Sequence, residues 1–163
     1  MTQRVKIGDI YEVPYKENGT KAYFQYLMKD YTQMNTNVIK VFKTHYKEDD
    51  NPTIDDILND EVDFYIHTSI LAGIKQGLWK KIGNKKIPSN FERPYFIASK
   101  DNGIDYSEKW YVWQAGDEDY TYVGKLPETY HKWEEGSIYP PFAVVDRIFK
   151  GDTGFKKPKF KKE

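Results

Sequence analysis

Cysteine is absent from the 163 residues of this chain, and that absence excludes disulfides, zinc–thiolate centres and cysteine nucleophiles. Long apolar runs are also missing, since no stretch approaches the roughly 18 apolar residues that a membrane span requires. The opening residues, MTQRVKIGDIYEV, contain no apolar core of a secretory signal. We therefore expect a cytoplasmic protein with no membrane partner.

Motifs for catalysis and nucleotide binding are missing as well. The chain contains no G-x-S-x-G, P-loop or G-x-G-x-x-G sequence, and its three histidines, His45, His67 and His131, stand far apart without metal-ligand spacing. We predict neither a metal site, a cofactor nor a catalytic residue from these patterns.

Neither positive nor negative charge is in excess overall, because the chain has 25 basic and 25 acidic residues. Its distribution is nevertheless uneven: residues 48–63 contain eight acids and no base, whereas residues 75–93 contain six bases and one acid. A nucleic-acid partner is disfavoured, because binding to phosphates needs a concentrated positive face and this chain has no overall excess of positive charge.

Aromatic residues are abundant, with 14 tyrosines, nine phenylalanines and four tryptophans. Residues 8–29 read as a hairpin around Asn18-Gly19, the strongest short hairpin signal. A two-residue turn there pairs Tyr11 with Tyr26 and divides the strands into two faces. The face expected in the core carries Tyr11, Val13, Tyr15, Phe24 and Tyr26. The half-polar face, expected at the surface, carries Glu12, Tyr23 and Gln25.

The remaining segments predict strands at 36–44, 62–69, 94–99, 109–114 and 120–125. Short helices are predicted at 54–60, with Thr53 as its cap, at 127–135 and at 140–149. The expected fold class is α+β, mostly β: a bent antiparallel sheet or a partly open, SH3-like barrel with two or three short helices. Residues 1–150 would form one domain, and the lysine-rich residues 151–163 a flexible tail.

The acidic stretch is the candidate partner-binding site. A calcium loop is disfavoured, because the stretch lacks the EF-hand glycine and ligand spacing. Solvated loop residues are the ordinary explanation of such a run, and recognition of a basic partner is the functional one. The candidate residues are Asp55, Asp56, Asp60, Glu61 and Asp63.

The basic segment around Trp79 offers a second, weaker candidate. An exposed indole beside Lys80, Lys81 and Lys85 could stack on a nucleic-acid base, whereas a buried Trp79 would be a core anchor with solvated lysines around it. We favour the core anchor.

Two stretches, residues 6–30 and 74–96, resemble the immunity protein 26 family of bacterial polymorphic toxin systems. The matching positions are Gly8, Asp9, Pro14, Tyr23, Gly77, Trp79, Ile82 and Gly83. The resemblance implies a mostly β, cytoplasmic domain that binds a toxin. The family label also includes a phosphotriesterase, but no catalytic residues can be carried over.

Three hypotheses follow. The first is an immunity protein that neutralises a cognate toxin, for example a nuclease with a basic cleft, by noncatalytic binding. The second is a phosphoester hydrolase, which requires a pocket that gathers the histidines with carboxylates. The third is an SH3-like nucleic-acid-binding module, which requires an exposed Trp79.

Overall fold

A computed structural model describes residues 4–101 and 104–161. Its strands are β1 Asp9–Tyr15, β2 Thr20–Asp30, β3 Thr36–Phe42, β4 Tyr46–Lys47, β5 Val62–Thr68, β6 Lys80–Asn84, β7 Tyr95–Ser99, β8 Trp110–Gln114, β9 Thr121–Gly124, β10 Glu134–Glu135 and β11 Ile138–Tyr139. Its helices are α1 Ile54–Leu58, α2 Ile70–Lys75 and α3 Pro141–Lys150. The predicted class, α+β and mostly β with short helices, is confirmed.

The strands form two open sheets. A seven-stranded sheet has the order β11-β5-β3-β2-β1-β6, with β4 paired to β2, and a four-stranded sheet has the order β10-β7-β8-β9. Most pairs are antiparallel, but the short strands β10 and β11 pair in parallel with β7 and β5. Both sheets are therefore mixed at one edge.

The predicted two-residue turn of the first hairpin is wrong, although its faces are right. Tyr15 pairs with Thr20 and Tyr11 with Phe24, so the loop has four residues, 16–19, and every partner is displaced by two. Only Gly19, with φ of 67°, adopts the left-handed conformation that a type I′ turn would also require of Asn18. A displacement by an even number of residues leaves each side chain on its predicted face.

Both faces of the seven-stranded sheet are covered. On one face, Tyr11, Phe24 and Tyr26 pack beneath α2 and α3, as expected of that row. On the other face, Tyr23 is only 3% exposed, because it packs with Ile57 of α1. The expectation that Tyr23 and Gln25 point to the surface is therefore wrong: α1 and β4 cover Tyr23, and Gln25 is 3% exposed and donates to the Gly8 and Lys85 carbonyls.

The helix predictions succeed at two of three segments. α1 has the predicted Thr53 cap, and α3 follows the predicted segment. Residues 127–135 do not form a helix: Glu128–Tyr130 makes one 3₁₀ turn, and Glu134–Glu135 becomes β10. Pairing of Glu134 with Phe96 and its ion pair with Arg147 outweigh the local helical preference.

The two sheets meet at a small core in which Val38 of β3 packs with Phe96 and Trp113. Beside this core, the fully buried Asp30 accepts hydrogen bonds from the Trp113 indole of β8 (2.8 Å) and from the Gly116 amide of the β8–β9 loop (3.1 Å). His67 of the first sheet contacts the same carboxylate at 2.7 Å. Asp30 therefore links both sheets.

Residues 151–161 follow α3 and run back to the second sheet. Phe160 packs edge-on against Trp110 and stacks on His131, and Lys156 pairs with Asp105 at 2.8 Å. The division of the chain at residue 150 stays a prediction. No helix of the described residues is long and apolar enough to cross a membrane.

Candidate functional site

The five predicted acids do not form one cluster. Asp55 and Asp56 lie in the first turn of α1, Asp60 and Glu61 lie between α1 and β5, and Asp63 lies in β5. Four are exposed, and Asp60 is half-buried. Of the five, Asp56 and Asp60 converge on the same concave surface, and Asp55 does not line it.

Glu61 and Asp63 have other neighbours. The Glu61 carboxylate lies 3.3 Å from the Lys43 amine, in an exposed ion pair. Burial raises the pKa of Glu134 above its ordinary value, and the Asp63 carboxylate contributes to that rise. Neither Glu61 nor Asp63 lines the concavity.

The concavity, which we call the acidic concavity, is open to solvent and has a volume of about 590 Å³. Its carboxylates come from Asp50, Asp56 and Asp60, and the ring of Tyr46 lies among them. β4 brings Tyr46 there, because β4 folds back onto β2 and pairs Tyr46 with Lys21. The lining residues are Thr44, Tyr46, Asp50, Asn51, Pro52, Asp56, Asn59 and Asp60.

Backbone amides hold the three carboxylates in place. Asp60 accepts hydrogen bonds from the amides of Thr44 (2.7 Å) and Glu61 (2.8 Å). Asp56 accepts from the Thr53 amide at 3.0 Å, and Asp50 accepts from the Lys47 amide at 3.2 Å. Each carboxylate therefore has a defined position before any partner arrives, which reduces the ordering cost of binding.

The electrostatics of the concavity are negative at neutral pH. The backbone hydrogen bond from Thr53 lowers the pKa of Asp56 below its ordinary value. Burial raises the pKa of Asp60, but hydrogen bonds from Thr44 and Glu61 outweigh it and leave the pKa lowered. The pKa of Tyr46 is raised by burial and then by the three neighbouring carboxylates, Asp60, Asp56 and Asp50.

A buried lysine fixes the loop that carries Asp50. Lys21 is 6% exposed, and its amine donates to the carbonyls of Glu48 (2.9 Å) and Asp50 and lies 3.5 Å from Glu12. A lysine stays buried only when its charge is compensated, and here the carbonyls and Glu12 compensate it. The acidic loop is therefore attached to the sheet by its backbone, and its side chains remain free to face solvent.

Sequence reasoning missed Asp50 and Tyr46 as members of this surface. Asp50 belongs to the acidic stretch, so its charge was visible, but its approach to Asp56 and Asp60 depends on the β4–β2 pairing. Tyr46 shows no local signal, since one tyrosine between polar residues predicts neither burial nor a neighbouring helix.

The conditions for the two other hypotheses are not met. Trp79 is 3% exposed and donates its indole N–H to the Ile70 carbonyl, so it cannot stack on a base. His67 is buried beside Asp30, His45 is exposed beside Phe149, and His131 lies against Phe160. Across residues 4–101 and 104–161, no group of three or more histidine, aspartate or glutamate side chains could hold a metal ion.

Fold and surface together define a mostly β protein with a preorganised acidic surface. The profile of the family described as Immunity protein 26 matches residues 6–110 of this chain, and the chain belongs to that family. It is thus an immunity protein of a toxin system, for which a toxin is the expected binding partner. Comparisons with curated proteins and with solved structures gave no match.

The family match extends from Lys6, just before the turn that leads into β1, to Trp110, the first residue of β8, and so includes the acidic concavity. Gly8 and Asp9, two of the residues that carried the resemblance, have structural roles. At Gly8, with φ of 95°, an added Cβ would lie 2.5 Å from the Lys85 carbonyl oxygen. Asp9 is fully buried and accepts from Asn84 at 2.9 Å. Both residues hold β1 against the segment at Asn84 and Lys85.

Proposed function

We propose that this protein neutralises its cognate toxin in the cytoplasm by direct, noncatalytic binding, and that the acidic concavity contacts a cationic surface of the toxin. The supporting observation is the convergence of Asp50, Asp56 and Asp60 around Tyr46, each held by a backbone amide. Preorganised carboxylates beside an aromatic ring suit lysine and arginine side chains. A nuclease with a basic cleft is one toxin of this kind.

The remaining sequence-predicted acids belong to the proposal in a different role. Asp55, Glu61 and Asp63 are close in sequence to the lining residues but do not line the acidic concavity. Exposed charges at the rim of an interface accelerate association more than they strengthen the final complex. We therefore assign Asp56 and Asp60 to direct contact and the other three to attraction of the partner.

The test uses the toxin encoded beside this protein, co-expressed and co-purified with it. Isothermal titration compares the protein with Asp50→Asn and Asp56→Asn variants, which retain an acceptor oxygen for their single backbone amide, and with Asp60→Asn, which loses one of its two amide hydrogen bonds. Each variant is expected to weaken binding by about tenfold, which corresponds to about 1.4 kcal/mol, and the loss should shrink at high salt.

Asp49→Asn is the matched control, because Asp49 is an exposed acid of the same stretch and does not line the concavity. It should change the dissociation constant by less than about twofold. Equal losses for Asp49→Asn and Asp56→Asn would contradict the assignment of the concavity. Failure of any complex to form would contradict the proposed function itself.

A further inference from the structure

A row of aromatic rings on the second sheet runs from the core to the solvent. Phe96 is 0% exposed and Trp113 3%, whereas Tyr120 is 41% and Tyr122 57% exposed. We call Tyr111, Tyr120 and Tyr122 the tyrosine surface. It is formed by β8, β9 and the loop between them, so it shares no residue with the acidic concavity.

The tyrosine surface is rigid because each ring rests on another. Tyr111 is the cross-strand partner of Tyr122, with ring centroids 5.0 Å apart. Tyr120 meets Tyr111 at 5.7 Å and Trp113 at 5.4 Å, both edge-on. The Trp113 indole is in turn bonded to the buried Asp30. Rigid aromatic side chains lose little conformational entropy on binding, which is the property of an interface anchor.

The rings already accept a cation within the chain. The Lys100 amine lies 4.9 Å from the Tyr111 centroid and 5.5 Å from the Tyr120 centroid. This arrangement is a cation–π contact, in which the negative ring faces attract a positive charge. The ring of Tyr122 is in contact with Tyr111 and has more than half of its surface open to solvent.

Acidic residues flank the tyrosine surface. The β8–β9 loop carries Asp117, Glu118 and Asp119, of which Glu118 and Asp119 are exposed. Asp117 is paired with Arg93 at 3.2 Å, so it adds little to the field outside the loop. The carboxylates of Glu118 and Asp119 outnumber the single positive charge of Lys100, so the ring faces and carboxylates together make this surface complementary to positive charge.

We propose that the tyrosine surface docks a lysine- or arginine-bearing segment of a protein partner, with Tyr122 contacting the cation, Lys100 remaining over Tyr111 and Tyr120, and Glu118 and Asp119 attracting the segment. The partner is the toxin of the proposed function, so the identity of the partner rests on that proposal. The surface is nevertheless a second contact region, and its residues lie beyond residue 110, where the family match ends.

The experiment uses the full chain with Asp50→Asn, Asp56→Asn and Asp60→Asn combined, so that the acidic concavity does not bind the probe. The probe is the peptide acetyl-GRGRGRG-amide, and its control replaces each arginine with citrulline, which keeps the shape and removes the charge. Binding is followed at low salt by amide chemical shifts in NMR. We expect shifts at residues 118–122 with the arginine peptide and none with the citrulline peptide.

Substitutions of Tyr122 separate ring chemistry from size. Tyr122→Leu should weaken binding of the arginine peptide roughly threefold to fivefold, and Tyr122→Phe should leave it unchanged, because only leucine lacks the ring face. The double variant Glu118→Gln, Asp119→Asn should also weaken binding of the arginine peptide. It does not disturb the strands, because both residues lie in the β8–β9 loop. The proposal is overturned if the arginine peptide does not bind, if the citrulline peptide binds equally, or if Tyr122→Leu and Tyr122→Phe behave alike.

Loss of toxin binding in the Asp50, Asp56 and Asp60 variants does not bear on this result, because the peptide experiment is performed in their background. Conversely, a negative peptide experiment leaves the acidic concavity and the complex with the toxin intact. The two proposals therefore fail separately.

Discussion

Asp30 accepts hydrogen bonds from Trp113 and Gly116, which lie 83 and 86 positions later in the chain. Burial raises the pKa of its carboxyl, but hydrogen bonds from His67, Thr32 and Trp113 outweigh burial and lower it to about 2. His67 Nδ1 is buried and has no hydrogen-bond partner within the described residues. A proton there would be an unsatisfied donor, so the tautomer protonated at Nε2, which donates to Asp30, fits the site.

Replacement of Asp30 with asparagine should therefore destabilise the fold. An amide cannot accept from His67, Trp113 and Gly116 together without presenting one N–H group to another, and we expect a loss of about 3 kcal/mol at pH 7. Chemical denaturation measures the change. Asp49→Asn, at an exposed site, should change the free energy of unfolding by less than about 0.5 kcal/mol.

The same variant has a pH signature of known sign. Because the folded-state pKa of Asp30 lies below the ordinary aspartate value, its stabilising effect is complete above about pH 4 and is lost as the pH falls toward 2. The difference in unfolding free energy between the protein and Asp30→Asn should shrink across that window. A difference that stays constant or grows on acidification would contradict the ionised, hydrogen-bonded state of Asp30.

Helix α1 connects a local capping motif to the acidic concavity. The Thr53 hydroxyl accepts from the Asp56 amide at 3.1 Å, and the Asp56 carboxylate accepts from the Thr53 amide, which together form a capping box. The helix has five residues, so its cap is a large part of its own stability. The position of Asp56 therefore depends on Thr53.

We expect Thr53→Ala to cost about 1 kcal/mol of stability and to weaken toxin binding, whereas Thr53→Ser should retain both. Thermal unfolding and titration with the toxin measure the two effects on the same samples. If Thr53→Ala lowers stability without any change in affinity, α1 does not present Asp56 to the partner.

At the scale of strands, alternation along the chain predicted which side chains share a face but not what covers it. Tyr11 and Phe24 are on the predicted core face although the turn has two more residues than expected. Tyr23 was assigned to the surface because its own face is half polar, and it is buried because Ile57 packs against it from 34 positions later. Local patterns carry no information about such distant partners.

Two further elements show the same limit. Residues 127–135 have helical spacing, yet β10 forms there because the edge of β7 offers backbone partners to Glu134 and Glu135. The acidic stretch was recognised from charge alone, but the grouping of Asp50 with Asp56 and Asp60 depends on β4 pairing with β2. Composition therefore indicated the charge of the candidate site, and its geometry required the fold.

At the scale of the whole molecule, the end of the family match and the predicted start of the tail fall at different places in the chain. The match ends at residue 110, inside the second sheet, although Trp113 of β8 packs with Val38 of the first sheet. The two sheets thus share a core, and the single domain over residues 1–150 stays a prediction. The tail adds contacts to the far side of the second sheet through Phe160.

Removal of residues 151–163 should leave a folded protein of lower stability. We expect a loss of about 1–2 kcal/mol, because Trp110, which is 2% exposed, loses its contact with Phe160. Phe160→Ala in the full chain should reproduce most of that loss. An unfolded truncated protein would contradict the domain boundary, and an unchanged free energy of unfolding would show that the tail contacts contribute nothing.

The central claim is neutralisation by binding without chemical change, and its most direct test is recovery of the toxin from the complex. The complex is dissociated in denaturant, and the toxin is refolded and compared with toxin that never met this protein, by intact mass and by activity. The account predicts an inactive toxin in the complex, and an unchanged mass with full activity after separation. A toxin that is permanently inactive with an altered mass, or fully active within the complex, would contradict it.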